Sequence, residues 1–419
     1  MSDSHRLLRQ PTDPRMHGFS HRSTVAQALH WIDQHARPLA TEWVSLTAAA
    51  SRVLAEDVTS PVDMPLFERA MMDGYAVRAA DTAGASHYEK VRLRLVGELL
   101  PGEAPKTNVA PGQAVRVMTG AALPPGADAV VPVEQTESLA EFVDVLAEVV
   151  PGKHVGRRGE DVQAGTTVLH AGRRLRPQDV ALLASLGISQ VPVVRRPRVR
   201  LIITGNELLP LGQIPHDFRI VDANGPMLAA LVERDGGCVL EATMIPDDAE
   251  AVRHAMLQPA DVVLVSGGTS VGKEDHAPVV LADIGELAIH GVAMRPSSPT
   301  GMGRIQQTLV FLLPGNPVSC LCAYDFFAGR AIRLLGGRPS AWPYRSRRLP
   351  LAHKLVSQVG RVDYARVRIF DDHAEPLAIG GASILTSATR ADGFVVIPED
   401  SEGYPAGAEV EVFLYEPLP

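Results

Sequence analysis

The 419-residue sequence contains no apolar run that approaches the roughly 18 residues needed to cross a membrane. Its first 18 residues, MSDSHRLLRQPTDPRMHG, lack the apolar core of a secretory signal peptide. They are polar and without periodicity, so we expect residues 1–18 to be disordered. These absences predict a cytoplasmic protein that does not enter a membrane.

Basic residues are not in excess. The 40 Lys and Arg are outnumbered by 48 Asp and Glu, which gives a formal net charge of −8. Overall charge therefore cannot hold the protein on nucleic acid or on an anionic membrane, and we expect neither as a partner. Any anionic ligand has to be bound by local groups.

Cysteine is scarce. Cys238, Cys320 and Cys322 are too few for a disulfide framework, and the two that lie close together have no matching second pair for a metal site. We predict that all three are core residues.

The chain is longer than the roughly 100 to 200 residues of one ordinary domain. Short β-rich runs such as VRLRLVGELL and QAVRVMTG, separated by PGE, PGQ and PPGAD turns, predict an inserted β domain over residues 52–150. Residues 19–51 contain a helix that Ser23 can cap, and we expect this segment to pack with residues 151–195 as a mixed α/β linker domain. Short strands with Gly-rich turns predict a second β domain over residues 337–419.

Residues 196–336 alternate between apolar strands and helices. VRLIIT, CVLEATMI, DVVLVS and LVFLLP are rich in branched side chains, as in strands that are buried on both faces. Helices follow at GPMLAALVERD, DDAEAVRHAML and PVSCLCAYDFFAGRAIRLLGG. The pattern predicts a doubly wound parallel α/β domain, so the fold class is multidomain α/β plus β.

Three polar loops follow apolar strands in this domain: TGNEL, SGGTSVGKEDH and LPGNPVS. Ligands of doubly wound sheets bind at the carboxyl ends of the strands, so we expect the loops to converge on one crevice. Gly267, Gly268 and Gly272 allow backbone N–H groups to form an anion-binding nest, which suits a phosphate. Tight packing explains such a turn equally well, and no Gly-Lys-Ser/Thr triplet of a Walker loop is present.

Acidic residues in these loops have two interpretations. Asp247 followed by Glu250 is a capping-box pattern, and Asp275 can cap the next helix. Alternatively, Asp275 and Glu207 lie beside a bound phosphate, where carboxylates repel the anion unless Mg²⁺ lies between them. Asn316 followed by a proline fits a helix start as well as a ligand contact.

Further polar residues lie outside the α/β domain. Asp73 precedes a glycine in MMDGYAVR, Thr119 follows a strand in RVMTG, and Asp161 belongs to the charged string RRGEDV. Taken singly, each is typical of a turn or of a solvated charge cluster.

The joint order of seven strings carries more information than any of them alone. MDGYAVR, MTGAALPPGADAVVPVE, RRGED, TGNEL, DANGPML, SGGTSVGKED and LPGNPVS resemble the molybdenum insertase family, which includes MoeA and the gephyrin E domain, from about residue 20 to the end. The resemblance implies a four-domain homodimer with an α/β domain related to molybdopterin adenylyltransferases and a C-terminal β barrel. It implies an active cleft shared between subunits.

The resemblance also implies an activity: Mg²⁺-dependent insertion of molybdate into adenylylated molybdopterin, with release of AMP. Matched positions then acquire roles. The implied catalytic residues are Asp73, Thr119, Asp161, Glu207, Asp247 and Asp275, of which Glu207, Asp247 and Asp275 would hold the metal. The implied substrate-binding residues are Ser266, Gly267, Gly268, Ser270, Gly272, Arg295, Ser297, Ser298, Pro314, Gly315, Asn316, Pro317 and Arg366.

One string departs from the family pattern. Family members often carry Lys-Pro-Gly-Lys-Pro where this chain has Arg-Pro-Ser-Ser-Pro, residues 295–299. Arg295 keeps the first positive charge, whereas Ser298 replaces the second lysine and can donate only a neutral hydrogen bond, which is roughly half as strong. Arg366, in VDYARVRI, is a candidate to compensate as an oxyanion ligand.

Alternative functions remain open from the sequence. A nucleotide pyrophosphatase or adenylyltransferase could use the same α/β domain, and a non-catalytic scaffold is a further possibility, although gephyrin-type scaffolds carry a long linker and another domain. Tungstate could replace molybdate. A molybdopterin adenylyltransferase and molybdoenzyme maturation proteins are candidate partners.

Overall fold

The computed structural model describes residues 22–270, 275–378 and 380–416. The chain forms two compact units. The larger contains the described residues up to Glu42 and from Val194 onward, and the smaller is Trp43–Val193. None of the helices in these described ranges is long and apolar enough to span a membrane.

The helices are α1 (Val25–His35), α2 (Pro177–Ser185), α3 (Asn224–Arg234), α4 (Ala249–Met256), α5 (Ala277–Ile284), α6 (Pro317–Ala323), α7 (Gly329–Leu335) and α8 (Thr386–Thr389). A π-helical turn, Tyr324–Ala328, joins α6 to α7. The strands are β1 (Thr41–Ser45), β2 (Val58–Thr59), β3 (Arg69–Ala70), β4 (Gly74–Val77), β5 (Val91–Leu99), β6 (Gln113–Val117), β7 (Ala129–Pro132), β8 (Thr136–Ser138), β9 (Phe142–Val145), β10 (Val155–Gly156), β11 (Thr167–Leu169), β12 (Gln190–Val194), β13 (Arg198–Thr204), β14 (Leu208–Leu209), β15 (Ile220–Val221), β16 (Cys238–Ile245), β17 (Val262–Ser266), β18 (Glu286–His290), β19 (Met294–Arg295), β20 (Gly301–Ile305), β21 (Thr308–Leu313), β22 (Arg345–Pro350), β23 (Leu355–Val356), β24 (Val362–Phe370), β25 (His373–Ala378), β26 (Gly393–Ile397), β27 (Gly403–Tyr404) and β28 (Glu409–Leu414).

A six-stranded sheet forms the centre of the larger unit, in the order β16-β13-β17-β21-β20-β18. The first four strands are parallel, as the sequence predicts. The last two are not, because β20 is antiparallel to β21 and β18 is antiparallel to β20. Gln306 and Gln307 are the whole connection between β20 and β21, and so short a turn can join only antiparallel neighbours. The sheet is therefore mixed.

Helices cover both faces of this sheet. Side chains alternate along each strand, so Leu201 and Phe311 face α1, α3, α6 and α7, whereas Ile202 and Val310 face α4 and α5. Helices therefore lie on both faces, as expected of a doubly wound α/β domain, but the sheet between them is mixed and not all parallel.

The edge strand β16 departs from the prediction for CVLEATMI. It is not buried on both faces but largely exposed, because one long side of an edge strand has no neighbour. Cys238, its first residue, is exposed and is not a core residue, whereas Cys320 and Cys322 are buried in α6 as predicted.

Helix α1 also lies elsewhere than expected. Thr24, not Ser23, caps it with a capping box that includes Gln27. Its buried face packs in the core of the larger unit. Asp33 forms a bidentate ion pair with Arg330 of α7. The helix therefore belongs to the core of the α/β sheet, which corrects the expected grouping with residues 151–195.

The last part of the larger unit is a second sheet. Strands β22, β28, β26, β24 and β25 are successive neighbours, and β19 pairs with the beginning of β24. Leu351, just after β22, forms a bridge with Ala374 of β25, so the two outer strands of the five also touch. The sequence prediction of a β-rich C-terminal segment agrees with these strands.

The smaller unit contains a six-stranded sheet in the order β7-β4-β6-β5-β9-β8, with all strands between Gly74 and Val145. This agrees with a β unit inside residues 52–150. Helix α2 packs on a separate core that includes Leu46, Leu54 and Val191.

Phe311→Ala should lower the free energy of unfolding by about 3 to 5 kcal/mol, because the fully buried ring leaves a cavity in the central sheet. Phe218→Ala is the matched control, since Phe218 is 97% exposed and its loss should leave stability nearly unchanged. Chemical denaturation measures both. Equal destabilisation by the two substitutions would contradict the packing described here.

Candidate active site

Three adjacent parallel strands end at one edge of the sheet. Thr204 ends β13, Ser266 ends β17 and Leu313 ends β21, and Ser266 is in register with Ile203 and Leu313 on its two sides. The three predicted loops therefore converge on one crevice, as expected. They surround a pocket of about 630 Å³, within the usual range for small-molecule sites.

The wall of this pocket is formed by residues of all three loops, by β15 with the residues that follow it, and by Asp247 after β16. Of the residues predicted from the sequence, the pocket contains Glu207, Asp247, Ser266, Gly267, Gly268, Ser270, Asp275, Pro314, Gly315, Asn316 and Pro317. Gly272, also predicted, lies outside the described residues.

The glycine loop after β17 is held against its neighbours. Gly267 has a φ of 95°, and a Cβ there would lie 2.0 Å from the Thr204 carbonyl oxygen, so no other residue fits. The hydroxyl of Thr269 donates to the Leu313 carbonyl at 3.1 Å. His290 Nε2 lies 3.1 Å from the Thr269 carbonyl, which can only accept, so the ring donates. The tight-packing and ligand-nest interpretations of this loop are thus compatible.

His290 is a contact that sequence reasoning missed. It lies on β18, one of the antiparallel strands, and no local motif marks it. Burial lowers the pKa of its imidazole, while its bond to Thr269 and the nearby charge of Asp275 act in the opposite direction. The ring is therefore held neutral behind the loop.

Asp247 does not cap a helix, contrary to the capping-box interpretation. Helix α4 begins one residue later than the pattern suggests, and Asp248 caps it by accepting from the Ala251 N–H at 2.9 Å. Asp247 instead accepts a hydrogen bond from the Thr204 hydroxyl and another from the Asn206 N–H at 3.3 Å. Its carboxylate therefore belongs to the pocket wall.

Asp275 is not a helix cap either, because the N-cap of α5 is His276. Asp275 and Glu207 both line the pocket. The described residues contain no group of three or more His, Cys, Asp or Glu side chains placed to hold a metal by themselves. The predicted metal set, Glu207 with Asp247 and Asp275, shares a pocket without forming a preformed metal cage.

Asn316 and Pro317 start α6 as N-cap and first helical residue, as the pattern predicts. Both also line the pocket, so the helix-start and ligand interpretations do not exclude one another.

Asn224 braces the crevice and was not among the predicted site residues. Its Nδ2 donates to Ser266 Oγ at 2.9 Å and to the Gly315 carbonyl at 2.7 Å, and so ties the second loop to the third. Asp222 accepts from the N–H groups of Asn224 and Gly225. The string DANGPML, which contains Asn224, contributed to the family resemblance. The string by itself does not indicate which contacts Asn224 makes.

A second pocket, of about 820 Å³, shares Pro299, Pro314 and Asn316 with the first. It is lined by the other predicted ligand residues Arg295, Ser297 and Ser298. Ser297 is buried and donates its hydroxyl to the Ser319 carbonyl, whereas the buried Ser298 hydroxyl has no hydrogen-bond partner among the described residues.

Arg295 is already engaged by a buried carboxylate. Its Nη2 contacts Asp363, which is fully buried and also meets Ser357 Oγ at 2.7 Å and Arg361 Nε at 3.2 Å. Because Arg295 and Arg361 share the single carboxylate of Asp363, the three groups keep one net positive charge beside the pocket.

Arg366 is fully buried beside this second pocket. It donates to the carbonyl of Gly380, which lines the pocket, while its Nε and Nη1 have no hydrogen-bond partner in the described ranges. Burial lowers the pKa of the guanidinium, and the group still remains a cation at neutral pH.

The smaller unit brings Asp73 and Thr119 together. Both the hydroxyl and the N–H of Thr119 donate to Asp73 Oδ1 at 2.7 Å, and these bonds, the hydroxyl first, lower the pKa of Asp73. Asp161 is exposed, and within the described chain its carboxylate makes no hydrogen bond or ion pair. It lies in a turn that Glu160 stabilises by accepting from the Arg157 N–H.

Three family models match the chain in succession: the MoeA N-terminal region (domain I and II) over residues 23–187, a probable molybdopterin binding domain over 200–333, and the MoeA C-terminal region (domain IV) over 348–415. Molybdopterin molybdenumtransferase 2 of Mycobacterium tuberculosis is 37% identical over 94% of this chain and 98% of that protein. The chain belongs to the MoeA family.

Other MoeA relatives agree over similar lengths. Molybdopterin molybdenumtransferase of Bacillus subtilis is 34% identical over 89% of this chain and 90% of its own. The crystal structure of the molybdopterin biosynthesis MoeA protein from Pyrococcus horikoshii superposes with a TM-score of 0.82 at 34% identity, covering 95% of this chain and all of that one. The family resemblance inferred from the seven strings is confirmed.

Thr119→Ala should raise the pKa of Asp73 towards its ordinary value, because one of its two donors is lost, whereas Thr119→Ser should keep it low. A lowered folded-state pKa stabilises the fold above the ordinary pKa and ceases to do so as the pH falls through the lowered value. Carboxyl ¹³C shifts followed against pH measure this directly. An identical Asp73 titration in wild type and Thr119→Ala would show that the hydroxyl does not set it.

Proposed function

We propose that the protein is a molybdenum insertase that transfers molybdate into adenylylated molybdopterin and releases AMP. The observation that carries this proposal is the convergence of a glycine nest, carboxylates and paired pockets at one sheet edge, in a member of the MoeA family. Relatives that match nearly the whole chain are named molybdopterin molybdenumtransferase.

The first pocket suits the adenylylated phosphate. The Gly267 N–H donates to the Leu313 carbonyl at 3.3 Å, so the nest would consist of the N–H groups that follow it, beginning with Gly268, whose φ is also positive. Because Thr204, Thr269 and His290 fix this loop from three sides, the donors are held in place before the ligand arrives. Preorganised donors are effective because little reorganisation is needed when charge develops on the phosphate oxygens.

The donor set fits Mg²⁺ bound together with a phosphate. Mg²⁺ is usually held by one or two carboxylates, waters and substrate phosphates, not by an all-protein cage, which agrees with the lack of such a cage in the described chain. Asp275 and Glu207 would be the first ligands, with Asp247 oriented beside them by Thr204. When bound, the ion would neutralise charge on the pyrophosphate.

The second pocket suits the oxyanion. Ser298 Oγ and two nitrogens of Arg366 are buried donors without protein partners in the described ranges, and Arg366 adds a charge that no neighbouring carboxylate is seen to balance. This arrangement compensates for the lysine that Ser298 replaces. The substrate's own dithiolene sulfurs would ligate molybdenum, so the protein needs no Cys or His cluster. Tungstate, of nearly equal size, would fit as well.

The finer organisation is part of the same proposal. We assign four domains, in which α1 belongs to the α/β domain and the other boundaries are those predicted from the sequence, a C-terminal barrel closed by the Leu351 to Ala374 bridge, and a cytoplasmic homodimer. Asp73, Thr119 and Asp161 would complete the cleft of the other subunit. A molybdopterin adenylyltransferase would supply the substrate.

Asp275→Ala should abolish oxyanion-dependent AMP release without unfolding the protein, because a carboxylate in the pocket wall contributes to chemistry more than to packing. Asp248→Ala is the matched control. It removes the α4 cap and should cost about 1 kcal/mol of stability with activity retained. AMP release from adenylylated molybdopterin is measured with and without molybdate or tungstate. AMP release that needs no oxyanion would indicate a pyrophosphatase, and no release by wild type would favour a scaffold.

Asp73→Ala and Asp275→Ala, each inactive alone, should complement when subunits exchange. In a mixed dimer one cleft carries both defects and the other carries none, because a twofold interface repeats every contact. Equal amounts with random exchange should restore about one quarter of wild-type activity, since half the dimers are mixed and each has one intact cleft. Mass spectrometry confirms exchange. A mixture that exchanges but stays inactive would rule out independent shared clefts.

A further inference from the structure

We infer that Asn224 recognises an exocyclic amino group of the substrate's heterocycle, through its side-chain carbonyl. The inference rests on the proposed function, because the adenine and the pterin of adenylylated molybdopterin both carry such a group. It adds to the site a residue that selects the base, beside those that hold phosphate and oxyanion.

The amide of Asn224 has one fixed orientation. Nδ2 lies 2.7 Å from the Gly315 carbonyl oxygen, which can only accept a hydrogen bond, so the NH₂ must be on that side. The same NH₂ donates its second hydrogen to Ser266 Oγ at 2.9 Å. Both donors are thereby used, and the carbonyl Oδ1 points away from them.

Oδ1 is left without a partner. The side chain lines the first pocket and its residue is only 6% exposed, yet Oδ1 is buried and accepts no hydrogen bond from the described residues. Buried carbonyl oxygens nearly always find a donor. No described protein group supplies that donor, so a ligand in the pocket is its source in the proposed site.

The chemistry of that donor follows from charge. Oδ1 carries partial negative charge, so it repels phosphate and molybdate oxygens and marks a part of the pocket that the anionic groups avoid. Adenine offers one kind of hydrogen-bond donor, its amino group, and pterin offers an amino group next to a ring N–H. An amino N–H directed at Oδ1 satisfies the acceptor.

Two ligand pairs test this and tell the two rings apart. AMP is compared with purine riboside 5′-monophosphate, which lacks the 6-amino group, and pterin with lumazine, which has a carbonyl in place of the 2-amino group. Calorimetry measures each Kd for wild type, Asn224→Ala and Asn224→Asp. Wild type should bind the amino-bearing member of one pair about tenfold more tightly, the loss expected for one hydrogen bond.

The variants should separate recognition from bracing. Asn224→Ala removes the acceptor, so it should bind both members of that pair equally well. Asn224→Asp keeps an acceptor at this position and should retain the preference, provided its thermal melt shows that it folds. The pair that responds identifies adenine or pterin as the ring at Asn224.

Several outcomes would overturn the inference. Wild type could bind both members of each pair equally, or Asn224→Ala could keep the preference unchanged. Asn224→Ala could instead weaken every ligand alike and only when Mg²⁺ is present, which would make Oδ1 a metal contact. Failure of wild type to bind any of the four ligands would refute the proposed function itself, and the inference with it.

Discussion

The alignment of three parallel strands determines the candidate site. Strands β13, β17 and β21 run in register, so their last residues, Thr204, Ser266 and Leu313, lie side by side. The loops that follow them therefore lie at the same edge of the sheet. Gly267 then packs so closely on the Thr204 carbonyl that the distance between two loops is set by backbone atoms alone. A shift of one strand by a single residue would separate the nest from its carboxylates.

Charge beside the second pocket also involves Asp363 and Arg361, which no sequence motif marks. Asp363 is fully buried and meets two arginines, so removing Arg295 would leave its carboxylate with Arg361 as the remaining ionic partner among the described residues. Arg295 therefore has two roles: it pairs with the buried carboxylate of Asp363, and it lines the second pocket. Arg295 and Arg366 both have buried nitrogens without a described acceptor, but only Arg295 forms an ion pair with a described carboxylate, so Arg366 is the better candidate for holding an anion.

Local sequence pattern was sufficient to predict the four parallel strands of the α/β domain, the polar loops after them and the start of α6 at Asn316. Apolar periodicity and turn residues depend on only a few neighbouring positions. Local pattern failed where a shift of one residue changes the helix start, or where a residue distant in sequence makes the contact. The capping-box pattern favoured Asp247, and the path of the chain into α4 makes Asp248 the cap instead. His290 and Asp363 act on residues far away in sequence, and the antiparallel strands β18 and β20 were not predicted from the sequence.

The three cysteines differ sharply in their chemistry. Burial raises the pKa of Cys320 to about 12, and that of Cys322 well above its usual value, so neither forms a thiolate at neutral pH. Cys238 is exposed on the edge strand β16. Thiol-directed reagents react with the ionised and accessible form, so the native chain offers one position for a fluorophore or spin label. Cys238 lies on the edge strand of the central sheet, so a probe attached there reports on the α/β unit without any engineered cysteine.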